Sequence, residues 1–223
     1  MSTFFEYPKS ATFGRVLPKT KIYEHGNVST KLKNLFVTQV DKIVWQYKLA
    51  PETINLPATK TVPEIQVFHI ALKKGELNED VLRCIDKAIP FPLIFELRYG
   101  DKRKAVATFK RPSEADSTKW VIGDYFSTSW EADTTPRKSL PVALNLQALY
   151  DKLFNPLMPL TGFQNEPLQV RVERMESIRA AEREVAKIEA RLAREKQFNK
   201  RVAINAELRN ARQELKKLTH ASV

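Results

Sequence analysis

Residues 64–110, EIQVFHIALKKGELNEDVLRCIDKAIPFPLIFELRYGDKRKAVATFK, decide the fold class. Glu64 to Lys73 is apolar on both sides of an extended chain, with Ile65, Val67 and Ala71 against Phe68, Ile70 and Leu72. Such a strand belongs at the centre of a sheet that is covered on both faces. Asn78 then caps a helix to Ile89, whose stripe is Val81, Leu82, Ile85 and Ala88. Phe91, Leu93, Phe95, Leu97 and Tyr99 follow at period two, with Glu96 and Arg98 on the opposite face. Gly100-Asp101 turns the chain into a paired strand from Lys104 to Lys110. Strand, helix, strand implies a right-handed crossover between parallel strands, and the turn adds an antiparallel neighbour. The expected body is α+β: a mixed, mostly antiparallel sheet with helices.

Toward the N-terminus, residues up to Gly26 are extended and irregular, punctuated by Pro8, Gly14 and Pro18. A helix is expected from Ser29 to Leu49, capped by Ser29 or Thr30 and ended by Pro51. Its apolar face is Leu32, Phe36, Val40, Ile43, Val44 and Tyr47. Toward the C-terminus come a polar loop at Pro112 to Ser117 and a long strand from Trp120 to Trp130. A helix starting at Ser139-Leu140-Pro141 then carries Leu144, Leu149, Leu153 and Phe154.

The chain divides by pattern into a body, residues 1–165, and a basic helical arm, residues 166–223. Ile178, Ala181, Val185, Ile188 and Leu192 are spaced three, four, three, four, which is a coiled-coil seam. Ile204, Leu208, Ala211, Leu215 and Leu218 form a second seam in a different register. The phase breaks between Arg194 and Arg201. A tight turn there gives two antiparallel helices of about 24 residues, each roughly 36 Å long at 1.5 Å per residue. A single helix with a stutter is the other solution. The hairpin is the better one, because each run is short and the two bury one another.

With 43% hydrophobic and 28% charged residues the chain has the composition of a globular protein, and no run of 18 apolar residues suggests a membrane span. The first residues, Met1 to Pro8, lack the basic start and apolar stretch of a signal peptide. Cys84 is the single cysteine, and with three scattered histidines it makes no zinc pattern. A cytoplasmic protein without cofactor or metal is expected. The net charge of +11 is segregated: +5 in residues 1–60, zero in 61–169 and +6 in 170–217. A segregated field attracts polyanions better than a diffuse one, although coiled-coil flanks are ordinarily rich in Arg, Lys and Glu. The residues best placed for a polyanion are Arg191, Arg194, Lys196, Lys200 and Arg201 near the hairpin tip, with Lys19 and Lys21 from the N-terminal segment.

Catalytic patterns are thin. A restriction-type nuclease core would place an acidic residue on one strand and Glu-x-Lys on the next. The strand from Lys104 to Lys110 has no carboxylate, and the one after it has Asp124 without the triplet. Glu96 and Asp124 are the pair left to hold Mg²⁺. His69 mid-strand reads as an interior histidine and Cys84 as core. Six glycines include no phosphate-cradling loop, and Trp120 and Trp130 read as packing more than as base-stacking platforms.

Several stretches resemble a bacterial family catalogued only as a domain of unknown function. They are Arg15-Val16-Leu17-Pro18-Lys19, Lys31-Leu32-Lys33-Asn34-Leu35-Phe36-Val37 and Lys48-Leu49-Ala50-Pro51-Glu52-Thr53-Ile54-Asn55-Leu56. Val67-Phe68-His69-Ile70, Ile85-Asp86-Lys87-Ala88-Ile89-Pro90 before Phe95-Glu96-Leu97, and Gln197-Phe198-Asn199-Lys200-Arg201 complete the set. The resemblance implies a genomic setting beside helicases and DNA methyltransferases in restriction or phage-defence clusters, and supplies no catalytic residues. The expected function is a non-catalytic accessory subunit that binds a protein partner, DNA or RNA through its arm. The alternatives are a divergent metal-dependent nuclease using Glu96 and Asp124, and a structural protein that homodimerises through the arm.

Overall fold

Two parallel strands occupy the middle of the sheet, as the 64–110 stretch requires. The computed structural model describes residues 3–24, 28–113, 116, 120–159 and 166–220. In chain order its strands are β1 (Phe5–Glu6), β2 (Thr12–Val16), β3 (Val40–Leu49), β4 (Ile65–Leu72), β5 (Leu93–Tyr99), β6 (Lys102–Pro112), β7 (Trp120–Ser127), β8 (Glu131–Ala132) and β9 (Lys138–Ser139). The helices are α1 (Lys19–Glu24), α2 (Thr30–Gln39), α3 (Pro51–Ile54), α4 (Glu79–Ala88), α5 (Leu146–Phe154), α6 (Leu168–Arg194) and α7 (Phe198–His220). The main sheet runs β2-β3-β4-β5-β6-β7, with β8 also paired to β6. Only β4 and β5 pair in parallel within it, placing Phe68 opposite Phe95 and His69 opposite Glu96. A separate short parallel pair joins β1 to β9. The expected α+β class with a mostly antiparallel sheet is therefore what the chain adopts.

Alternation along β4 distributes its side chains to two cores. Phe68, Ile70 and Leu72 join Val81, Leu82 and Ile85 of α4, Phe36 of α2 and Ile22 of α1 in one apolar cluster. On the other side, Phe109 and Phe126 meet Tyr150 and Phe154 of α5, and Tyr47 meets Tyr7 of the N-terminal segment. The sheet is covered on both faces, which explains why Ile65, Val67, Phe68 and Ile70 are all buried.

The expected helix from Ser29 to Leu49 is half right. Ser29 Oγ accepts from the Leu32 amide at 3.3 Å, so the cap is as read, but the helix stops at Gln39 and Val40–Leu49 is a strand. Val40, Ile43, Val44, Trp45 and Tyr47 are β-branched or aromatic and fit a pleated surface better than a helix. Register shifts between Val40 and Lys42 and between Trp45 and Tyr47 break the period-two signal, leaving a spacing that imitates a helix. Thr12–Val16, expected to be irregular, is the edge strand beside it. Further along, β7 ends at Ser127 rather than at Trp130. The last body helix begins at Leu146, where Asn145 Oδ1 accepts from the Ala148 amide at 2.8 Å; Ser139 lies in β9 and Leu144 is exposed.

Two lysines close helix C-termini from outside the helices they cap. Lys19 Nζ donates to the carbonyls of Phe36 at 3.1 Å and Val40 at 2.5 Å, satisfying the end of α2. Lys110 Nζ, fully buried, donates to the carbonyls of Asp86 and Ile89 at the end of α4 and lies 3.5 Å from Asp86 Oδ1. Tyr125 Oη donates to Asp86 Oδ2 at 2.5 Å. Burial pushes the Asp86 carboxyl up to about 6 against the pull of Lys110 and Tyr125, and pushes Lys110 down.

The chain separates into two compact units, residues 1–159 and 160–223. The boundary expected at residue 165 falls in 160–165, outside the described residues, as do Gly26 and Ser117 at the ends of two expected loops. No described helix is long and apolar enough to cross a membrane.

Lys110→Met leaves the Asp86 carboxylate buried without its cation, and urea unfolding at pH 7.5 should show a loss of about 3–5 kcal/mol. Burial raises the Asp86 carboxyl to about 6 even with Lys110 pulling it down, and without Lys110 it rises further, so lowering the pH protonates the buried group and relieves the penalty. The loss should shrink at pH 5.

Candidate nucleic-acid interface

The second unit is a helical hairpin. α6 and α7 pack along their length, and the two seams meet between them: Ile188, Ile204 and Leu208 are buried together, flanked by Val185, Leu192 and Ala211. The phase break between the seams is a turn at Glu195–Gln197, so the continuous helix with a stutter is excluded. No Gly or Pro is needed there, because Glu195 Oε1 accepts from the amides of Lys196 at 2.9 Å and Gln197 at 2.8 Å. The hydrogen bond from the Gln197 amide, aided by that of Lys196 and by the charges of Lys200 and Arg201, holds the Glu195 carboxyl below its usual range.

Charge is handled differently along the shaft and at the tip. On the shaft, Arg212 bridges to Glu189 across the hairpin at 2.6 Å and Arg191 bridges to Glu207. Lys187 with Glu184 (3.4 Å) and Lys217 with Glu214 (2.5 Å) pair within their helices. Each such exposed pair contributes little stability, about 0–1 kcal/mol, but it neutralises charge locally. Arg194, Lys196, Lys200 and Arg201 cluster around the turn, all exposed, and none makes an ion pair with a described residue. Arg191 is therefore a shaft residue by its pairing, and the other four form the cationic tip. Phe198, which the sequence reading passed over, opens α7 among them with 78% of its surface exposed, and Val202 one turn on is 53% exposed. The available signal was that Phe198 belongs to neither seam.

The N-terminal candidates are committed elsewhere. The Lys19 amine is held by the end of α2, and Lys21 pairs with Glu24 at 2.9 Å on the surface of α1. The two carboxylates considered for metal chemistry are not brought together. Glu96 is on β5 and Asp124 on β7, with β6 between them and about four residues of offset, on the order of 15 Å by strand geometry. Glu96 is buried and its two oxygens take a bidentate pair from Arg137, Nη1 to Oε1 at 2.9 Å and Nη2 to Oε2 at 2.7 Å. His69 Nε2 lies 3.0 Å from Oε2. Cys84 is half-buried on α4, and burial pushes its thiol up, away from the reactive thiolate. Among the described residues no group of three His, Cys, Asp or Glu is arranged to hold a metal.

A family model described as "Domain of unknown function (DUF4391)" matches residues 5–215. The chain belongs to that family. No curated protein and no solved structure matches it. The DUF4391 match runs through the division between the two units and ends within α7, so the hairpin is part of the family's domain and not an addition to it.

In this DUF4391 fold Glu96 is a structural anchor with a defined pH signature. Burial opposes its ionisation, but the contacts with Arg137 and His69 outweigh burial and bring the carboxyl down to about 2. Because the folded value lies below the ordinary 4.5, the stabilisation is present above pH 4.5 and is lost as pH falls toward 2. Urea unfolding of the wild type should lose on the order of 3 kcal/mol from this group across that window. Glu96→Gln should be less stable at pH 7 and lack that part of the acid dependence.

Proposed function

We propose that this DUF4391 protein is a non-catalytic accessory subunit of a bacterial DNA-handling assembly of the restriction or phage-defence type, acting in the cytoplasm. The hairpin tip is its nucleic-acid contact, and the α+β body anchors it to a protein partner. One observation carries the reading: Arg194, Lys196, Lys200 and Arg201 fall within eight residues around the turn, exposed and without an ion pair to a described residue, whereas Lys187, Arg191, Arg212 and Lys217 of the shaft are each paired with a carboxylate. Phosphate backbones reward unpaired, exposed cations in a cluster, because each neutralised phosphate releases condensed counterions. The genomic setting implied by the family resemblance, beside helicases and DNA methyltransferases, agrees with such a role by association alone.

The competing readings draw less support. The part of the seam formed by Val185, Ile188, Leu192, Ile204, Leu208 and Ala211 packs between α6 and α7, so that part does not require a second copy of the chain. The Glu96 carboxylate considered for a nuclease is occupied by Arg137.

Fluorescence anisotropy with a labelled oligonucleotide across a salt series tests the proposal. Replacing Arg194, Lys196, Lys200 and Arg201 together with Gln should reduce the slope of log affinity against log salt by up to about 3.6, at about 0.7–0.9 per phosphate contact. A slope that does not move removes the tip from nucleic-acid binding.

A further inference from the structure

An aromatic ring left in water at the point of greatest positive charge is a costly arrangement unless something covers it. Phe198 is the first residue of α7, exposed over 78% of its surface, and it packs in neither apolar cluster of the described residues. Arg201 and Val202, three and four residues on, share its side of the helix and are exposed too. Arg194 and Lys196 sit just before and in the turn that leads into it, and Lys200 is in the first turn of α7, all exposed. Glu195 takes the amides of Lys196 and Gln197 in the turn, which fixes the backbone just ahead of α7.

From this juxtaposition we infer that the hairpin tip binds single-stranded nucleic acid, with Phe198 stacking on a base while Arg194, Lys196, Lys200 and Arg201 hold the flanking phosphates. The inference rests on the nucleic-acid reading above and specifies its substrate. Cations alone would serve duplex and single strand alike, and the ring is what separates them. In a duplex every base face is covered, so the ring gains a partner only by prising a step apart, which costs about as much as the stack returns. A single strand offers the base face without that cost, and stacking tolerates any sequence because every base has a π-face. A protein partner would satisfy Phe198 equally well but would need an acidic surface around an apolar socket. A strand of bases on a phosphate chain supplies both chemistries in one ligand.

The test uses full-length protein and a fluorescein-labelled 20-mer of deoxythymidine, its uridine counterpart, and a 20-base-pair duplex. Phe198→Ala, a substitution at an exposed site that leaves the fold intact, should weaken binding to the single strand roughly 5- to 150-fold, the range of one base–aromatic stack. Its salt slope should equal that of the wild type, and its duplex affinity should not change. Phe198→Trp should restore affinity and show an emission quenched on binding, read against the common background of Trp45, Trp120 and Trp130. Comparing the deoxythymidine and uridine strands assigns the natural ligand to DNA or RNA. Phe198→Ala binding the single strand within twofold of wild type overturns the stacking inference. If the four-site Gln variant loses binding in that case, the accessory nucleic-acid reading stands without it. Wild-type protein that binds none of the three probes overturns both.

Discussion

The parallel pairing of β4 with β5 is the constraint on which the rest of the body depends. Parallel neighbours cannot be joined by a turn, so the chain must leave the sheet, cross one face and return. α4 is that crossover, and its burial surface, Val81, Leu82 and Ile85, defines one core. Covering the opposite face then falls to elements from both ends of the body: Tyr7 from the N-terminal segment and Tyr150 and Phe154 from α5. The same pairing puts His69 and Glu96 side by side on that second face, where Arg137 completes a buried ionic group.

Charged side chains that are buried or half-buried in this fold work as a set of ties between segments distant in sequence. Lys110 fastens β6 to the end of α4, and Lys19 fastens α1 to the end of α2. Arg137 joins Glu96 in the sheet to the Phe5 carbonyl, and Arg103 holds Glu131 at 2.8 Å and the Asp133 carbonyl at 3.1 Å. Phe4 lies against both guanidinium groups, 4.5 Å from Arg103 and 5.5 Å from Arg137. A cation over an aromatic face in a desolvated site is worth about 2 kcal/mol, so β1, which among the described residues pairs with β9, is also anchored by the side chain of Phe4 immediately before it.

These ties also mark where the sequence stops being informative. β4, α4, β5 and the turn into β6 were legible because each obeys one period over its whole length and is bounded by Asn78 or Gly100. β3 was not, since two bulges scramble its alternation, and β2 was not, since an exposed edge strand has almost no apolar signal. Ser139-Leu140-Pro141 imitated a helix start that Asn145 actually provides. Lys19 looked like a free surface cation because its acceptors lie 17 and 21 residues away. Glu96 looked available because Arg137 is 41 residues distant. At the hairpin the register shift revealed the break, but the carboxylate that makes the turn, and the aromatic ring it leaves outside, follow from geometry that periodicity does not encode.

The uneven pairing of charge along α6 and α7 has a kinetic consequence. Opposite charges held within a few ångströms cancel beyond a Debye length of about 8–10 Å, so the positive charge an approaching polyanion would meet is denser at the tip than along the partly paired shaft. On the nucleic-acid reading proposed above, the arm carries a direction in its field that would bias encounters to arrive end-on before any specific contact forms. Ionic strength would then govern how often partners meet, while the short-range contacts made after arrival govern how long they stay.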